Sequence, residues 1–524
     1  MLPRTPTLLA LAAILSLAAS LWAQSDESPY PNYNTDPIAP EYDGMEKVAP
    51  QIAGQIQAGW NLGNTMEATW WEGATPDPLT GETIWGNPIV TKELIQLVKQ
   101  SGFQAIRIPC SWNQYSDPAT AQIDPVWLAR VEEVVRYCVD ADLYILLNIH
   151  WDGGWLERNV TPEQEEAVNH KQRAFWQQIA THFRDFDQRL LFASANEPHV
   201  ETAQQMDVLD RYHQTFVDTV RATGGRNACR TLVVQGPITD IERTEQLMDP
   251  LPSDTVPNRL MVEVHYYTPY NFALMTQDES WGKQSYYWGA NYHSTTDPTR
   301  NATWGEEALL DDFFGRMKSK FVDHGIPVLL GEFAAIRRSH LTGDDLELHL
   351  ASRAYYHNYV SEKANELGLI PFYWDTGTLG NHGSGIFDRS DNTVFDTQLL
   401  EALTELETPQ YWETEGKRYA TDINSDGDWA SDLMEQFLGS DPDDKNSIPD
   451  RPRFHLNASA HAVYTLYRFS KNTGQLKFEY SSDLINWSDF EMTVSQDSET
   501  VLEHISASPL PQGEERFIRP KLVR

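Results

Sequence analysis

Eight short, almost continuously apolar runs recur along the chain, at residues 57–64, 105–112, 143–151, 190–198, 231–236, 260–267, 327–333 and 370–375. Longer stretches with helical spacing of apolar residues separate most of them, at 93–100, 127–139, 174–183, 206–220, 309–321 and 346–366. Strands this apolar are buried on both faces, and such strands alternate with helices in parallel sheets. Eight units of this kind predict an α/β fold, a closed (β/α)8 TIM barrel. An open, doubly wound sheet is the rival, and it loses support because no glycine-rich phosphate fingerprint follows the first run.

A barrel carries its chemistry where strands end, at the C-terminal face. The run ends here are rich in polar and aromatic groups: Asn61 and Asn64, Arg107 and Trp112, His150 and Trp151, Asn196 and Glu197, His265 and Tyr267, Glu332, and Trp374 with Asp375. Packing alone does not explain that clustering. Glu197 closes the fourth run in Ser-Ala-Asn-Glu-Pro, and Glu332 closes the seventh in Leu-Leu-Gly-Glu-Phe. Strands four and seven are expected to face each other across the barrel, so the two carboxylates converge over its mouth. A proton donor paired with a second carboxylate roughly 5–5.5 Å away is what retaining cleavage of a glycosidic bond requires. A lone glutamate is more often a surface charge or a helix-terminal carboxylate; two in matching register weaken that reading. Arg107 is the cation expected to keep Glu332 ionised, and Tyr267 a hydroxyl donor to the same carboxylate. Asn196 is placed to hold a sugar hydroxyl at the reacting ring. His150 and His265 lack the clustered cysteines or short His spacing of a catalytic zinc, so hydrogen bonding around a carboxylate accounts for them better.

At these residues the chain resembles glycoside hydrolase family five, a family of retaining (β/α)8 enzymes. The matching segments, all in family order, are Gly-Trp-Asn-Leu-Gly-Asn at 59–64, Ile-Arg-Ile-Pro at 106–109, Asn-Ile-His at 148–150 and Asn-Glu-Pro at 196–198. Val-His-Tyr-Tyr at 264–267, Gly-Glu-Phe at 331–333 and Phe-Tyr-Trp at 372–374 complete the set. The likeness spans about residues 50–405. It implies Glu197 as acid/base, Glu332 as nucleophile, and a supporting shell of Asn61, Arg107, His150, Trp151, Asn196, His265, Tyr267 and Trp374, with no cofactor for catalysis. The segments 82–88 and 266–270 are similar to the branch acting on cellulose, mixed-linkage glucan or xyloglucan. Trp151 stands where many relatives carry a second His, and Ala193-Ser-Ala195 replaces an acidic residue often seen before Asn-Glu-Pro. β-Mannanase action and non-catalytic carbohydrate binding stay open as alternatives.

The remaining sequence sets the organisation. A chain of 524 residues exceeds one ordinary core, so further modules are expected. Arg4, the apolar run 8–17 and small residues up to Ala23 read as a signal peptide over 1–23, with a signal anchor the alternative. A secreted or extracellular enzyme, with periplasm or cell surface as other destinations and no membrane span in the mature chain, follows. Residues 24–46 read as an N-terminal extension, 47–407 as the barrel, 408–451 as an acidic linker and 452–524 as a small β-rich module. Within the linker, Asp422, Asn424, Asp426 and Asp428 alternate around a glycine as calcium ligands do. The stretch resembles thrombospondin type 3 repeats, which implies a structural calcium; Leu433 stands where a bidentate Glu is usual, and an acidic solvated linker is the alternative.

A net charge of −36 argues against nucleic acid or an anionic membrane as partner and is compatible with a neutral polysaccharide or oligosaccharide bound by a monomer. The 17 Trp and 22 Tyr supply flat rings of the kind that stack on pyranose faces. Trp71, Trp85, Trp112, Trp151, Trp155, Trp281 and Trp288 lie in or beside loops of the expected active face. Cys110, Cys138 and Cys229 form no paired framework and are expected as buried free thiols.

Overall fold

The structure, a computed structural model, describes residues 28–419 and seven strand segments between residues 453 and 523. Eight parallel strands close into one barrel: β1 (Gly59–Leu62), β2 (Ala105–Ile108), β3 (Tyr144–Asn148), β4 (Leu190–Ala193), β5 (Leu232–Gln235), β6 (Leu260–Tyr266), β7 (Val328–Phe333) and β8 (Leu369–Asp375). They run round the ring in sequence order, with β8 paired to β1. Every expected run supplied one strand. β4 and β7 are three staves apart, one short of diametric opposition, so the expected face-to-face placement is corrected to an oblique one.

The outer layer consists of α1 (Lys92–Gln100), α2 (Pro125–Asp140), α3 (Glu165–Phe183), α4 (Ala203–Ala222), α5 (Ile241–Leu247), α6 (Glu307–Lys320), α7 (Gly343–Leu367) and α8 (Thr397–Thr404). Their ends follow local chemistry. Thr91, Asp124, Thr202, Asp240 and Asp396 each accept a backbone N–H of the first turn, and α7 stops at Gly368 in the left-handed region, φ 81°. Helices α5 and α8, seven and eight residues long, escaped the periodicity reading because two turns carry too few apolar repeats.

Strand side chains facing the helices and those filling the interior form one core, which includes Trp60, Trp112, Trp127, Trp176 and Trp288. Both ends of the barrel region join it. Tyr30 and Tyr33 pack against the core, and Ile38–Pro40 pairs with Gly224–Gly225. Beyond residue 407, Trp412 is buried and donates from Nε1 to Gly368 O at 2.8 Å. Among the described residues, Tyr30, Tyr33 and Ile38–Pro40 before the barrel and Trp412 after it thus take part in the barrel's packing. Among the described residues no helix is long and apolar enough to cross a membrane.

At the C-terminal end the strand segments form antiparallel sheets. Arg453–Leu456, Ala462–Tyr467, Val501–Ser506 and Met492–Asp497 make one, in that order; Ser488–Phe490, Gln475–Ser481 and Phe517–Val523 make the other. The small β module is therefore present. The calcium ligands expected at Asp422, Asn424, Asp426 and Asp428 lie outside the described residues. All three cysteines are buried and free.

Candidate active site

Ladder register gathers the strand-end residues at one level. Asn61 pairs with Arg107 between β1 and β2, Trp374 with Asn61 between β8 and β1, and His265 with Glu332 between β6 and β7. In-facing side chains at these positions meet over the barrel mouth. A carboxylate oxygen of Glu197, one of Glu332 and a ring nitrogen of His265 lie within 4.8 Å of one another. Two carboxyl groups this close match the retaining rather than the inverting spacing.

Their surroundings differ. The Glu332 side chain is 7% exposed and that of Glu197 38%. Glu332 Oε1 takes an ion pair from Arg107 Nη1 at 2.9 Å, and Oε2 accepts the Tyr267 hydroxyl at 2.9 Å. Burial, joined by the Glu197 charge, leaves the Glu332 carboxyl above the ordinary carboxylate range, against the pull of His265, Arg107 and the Tyr267 hydroxyl. Burial and the Glu332 charge hold Tyr267 well above the ordinary phenol range, so it stays a neutral donor.

Arg107, fully buried, is the shared clamp. Besides Glu332 it contacts Glu263 Oε1 through Nε at 2.9 Å, Asn61 Oδ1 through Nη1 at 3.0 Å and Asn196 Oδ1 through Nη2 at 2.8 Å. A planar fork reaches all of these at once where an ammonium reaches one place. Asn61 spends its Nδ2 on Gly331 O at 2.9 Å and is itself fully buried, so it supports Arg107 and offers nothing to a ligand. Asn196, its oxygen taken by Arg107 and one N–H turned to Glu157, keeps its other N–H for a ligand.

His265 sits between carboxylates, with Nδ1 at 2.7 Å from Glu197 Oε1 and Nε2 at 3.2 Å from Glu263 Oε1. Burial works against its charge, but Glu332, Glu197 and Glu263 outweigh it and lift the ring to about 10. His150 behaves oppositely: burial and the Arg107 charge keep it neutral. The Asn148 amide, oriented by accepting Cys110 N at 3.1 Å, faces His150 Nδ1 at 3.2 Å with its NH2 group. Nε2 therefore carries the His150 proton. Trp374 stacks on the His150 ring, centroids 5.7 Å apart and planes within 8°. Trp151 lies under the Arg158 guanidinium at 5.4 Å.

The tryptophans divide. Trp112 and Trp288 are wholly buried and belong to the core, and Trp155 packs edge-on against Phe175. Trp71, Trp85 and Trp281 are 67%, 43% and 65% exposed, as is Trp304 at 51%, which the sequence reading did not single out.

Three further residues join the site. Glu263, one turn of the pleat before His265, is fully buried between Arg107 and His265. Gln235, at the end of β5, donates to Glu263 Oε2 at 2.6 Å and accepts Ala195 N at 2.9 Å. Glu157, in the loop after β3, accepts the backbone N–H of Glu197 at 3.0 Å, and burial lifts its carboxyl to about 7. Alternation along β6 puts 263 and 265 on one face, which is the signal that would have found Glu263; Glu157 sits in irregular loop with no such pattern.

Known proteins resemble this chain over most of the barrel. The profile of the family described as Cellulase (glycosyl hydrolase family 5) matches residues 67–380. A xyloglucan-specific endo-β-1,4-glucanase of Bacteroides ovatus is 38% identical over 376 residues, covering 70% of this chain and 72% of that one. Endoglucanase A of Paenibacillus barcinonensis is 37% identical over 382 residues, covering 69% of this chain and 90% of the relative. Among solved structures, a Bacteroides ovatus family 5 xyloglucanase with a XXXG heptasaccharide superposes at TM-score 0.65 and 34% identity, covering 72% of this chain and 80% of the other. A xyloglucan-specific β-1,4-glucanase from a ruminal metagenomic library, with XXLG bound, superposes at TM-score 0.63 and 40% identity, covering 68% and 95%.

Proposed function

We propose a specific reaction for this chain, which belongs to glycosyl hydrolase family 5 and is a glycoside hydrolase with β-1,4-glycanase relatives: it is a secreted enzyme that cleaves internal β-1,4-glucosidic bonds with retention of anomeric configuration. Glu332 attacks the anomeric carbon while Glu197 gives its proton to the leaving glycosidic oxygen, leaving a covalent glycosyl-enzyme. Glu197, now a base, takes a proton from water, and that water releases the sugar and restores Glu332. The observation that carries the reading is the approach of the two carboxylates to within 4.8 Å, one enclosed by donors and the other open. Arg107 and Tyr267 keep Glu332 aimed and favour its anionic form against burial. The spare N–H of Asn196 meets the 2-hydroxyl of the reacting sugar, and the stacked His150 and Trp374 form its floor. No cofactor takes part.

Among β-1,4-glucans we favour xyloglucan, since relatives named for that specificity cover most of the barrel. A branched chain needs broad, exposed contact faces, and Trp71, Trp85 and Trp281 offer them. Residues 1–23 act as the export signal, and the acidic segment 422–428 binds calcium, which calorimetric titration of the whole protein with CaCl2 tests.

Reducing-sugar release and product sizing on xyloglucan, cellulose, mixed-linkage glucan and mannan test the assignment. Oligosaccharides from xyloglucan at the highest rate, with rapid loss of viscosity, are expected. Preference for mannan would reassign the substrate, and no release from any polymer would overturn the enzyme reading.

A further inference from the structure

Beneath the paired carboxylates lies a polar group that the reaction as described does not use. Glu263 is fully buried inside the barrel. Its Oε1 is shared by Arg107 Nε at 2.9 Å and His265 Nε2 at 3.2 Å, and its Oε2 accepts Gln235 Nε2 at 2.6 Å. Each of these partners leads to a different part of the site. Arg107 holds Glu332, His265 holds Glu197, and Gln235 pins the backbone at Ala195, two residues before Glu197. The space is built for it. A Cβ on Gly331 would stand 2.1 Å from Glu263 Oε1, so only a glycine beside Glu332 admits this carboxylate.

Resting on the Glu197 and Glu332 assignments above, we propose that Glu263 is a positioning residue that acts through His265, keeping the ring doubly protonated so that Glu197 and His265 hold the catalytic proton jointly. With Glu263 accepting at Nε2, the second ring nitrogen faces Glu197 Oε1 at 2.7 Å, with Glu332 Oε2 farther off at 3.6 Å. The mobile proton rests on Nδ1, and passing it to the Glu197 carboxylate beside it costs no exchange with water. The same carboxylate fixes the Arg107 fork, so one buried charge sets both the acid/base arm and the nucleophile arm.

The charges facing His265 favour this arrangement. Glu197 from the end of β4, Glu332 from β7 and Glu263 from β6 oppose Arg107 from β2, while His150 after β3 is neutral. Burial and the Glu263 partners do not neutralise that carboxyl: Arg107 and His265 hold it below the ordinary range. Behind Gln235, His213 is pushed down to about 4 by burial and adds no charge. Removing the Glu263 charge leaves Arg107 less compensated, and the shared proton is then released at lower pH.

Two measurements test this. In 15N-histidine NMR of the wild-type enzyme, assigned by difference against H265Q, both His265 ring nitrogens remain protonated at pH 8; a neutral ring at that pH overturns the proposal, with no requirement that E263Q fold. In pH profiles of kcat/KM on the soluble β-1,4-glucan cleaved fastest, E263Q moves the alkaline limb down by about one unit or more, E263D keeps it near the wild-type position, and E263Q adds little further shift in an H265Q background. An unmoved limb in a folded E263Q, or an equal shift with and without His265, refutes the role. E332A separates the two claims: if it is inactive while the E263Q limb stays put, the carboxylate pair stands and only the Glu263 role falls. If E332A retains turnover, the underlying assignment fails instead.

Discussion

Replacing Arg107 by Lys keeps the charge and removes the fork, and the structure sets the size of the effect. The guanidinium serves three directions at once: Glu263 through Nε, Glu332 and Asn61 through Nη1, and Asn196 through Nη2, all between 2.8 and 3.0 Å. A lysine ammonium on a similar stem serves one direction, so two charge-assisted contacts are lost at about 1.5–3 kcal/mol each. The barrel body of about 390 residues unfolds with an entropy near 0.8 kcal/mol per kelvin, which turns a loss of about 3–6 kcal/mol into a Tm lower by roughly 4–7 °C. Activity suffers more than stability, because Glu332 and Asn196 both lose the group that aims them. A displacement near 1 Å at a reacting group costs on the order of a hundredfold. Scanning calorimetry at pH 6 and steady-state kinetics on a soluble β-1,4-glucan measure both. An R107K enzyme within 1 °C of wild type and within about threefold in kcat/KM would refute the clamp.

Glu197→Ala should cut kcat on polymer by about 10²–10⁴, while an aryl cellobioside with a good leaving group loses far less in the glycosylation step, measured by its phenol burst. Trp71→Ala and Trp281→Ala should raise KM for polymer by about 2–12-fold each with Tm unchanged, since both rings are more than half exposed. His265 gains its carboxylate partners only on folding and so binds its proton more tightly in the native state. The stability it contributes is whole below the ordinary histidine range near 6.5 and is lost as pH climbs through about 10, so Tm should fall progressively above neutrality and fall less steeply in H265Q.

What the sequence made legible was what period and position encode. Strands buried on both faces leave an unmistakable apolar run, and all eight were recovered. The residues closing those runs, Arg107, Asn196, Glu197, His265, Tyr267 and Glu332 among them, meet in one network because parallel register brings strand ends to a common level. Helices α5 and α8 were too short to show a repeat. Trp112 and Trp288 were indistinguishable from cleft-lining rings, since a loop position does not reveal which way an indole turns. Glu263 is hidden inside an almost continuously apolar run, although its two-residue spacing from His265 marks the same face. Glu157 reaches the site through an irregular turn, and the packing of Tyr30, Tyr33 and Trp412 onto the barrel depends on tertiary contacts that local pattern does not carry.

Retention of configuration requires two successive displacements at the anomeric carbon. Proton NMR of the first product released from a β-1,4-gluco-oligosaccharide, recorded before the new reducing end mutarotates, reads that directly. A pair of carboxylates closer than 5 Å leaves no room for a water between nucleophile and anomeric carbon, so the β-anomer appears first and the α-anomer grows in later. An α-anomer at the earliest time point would mean single displacement by water, and Glu332 would not be a nucleophile.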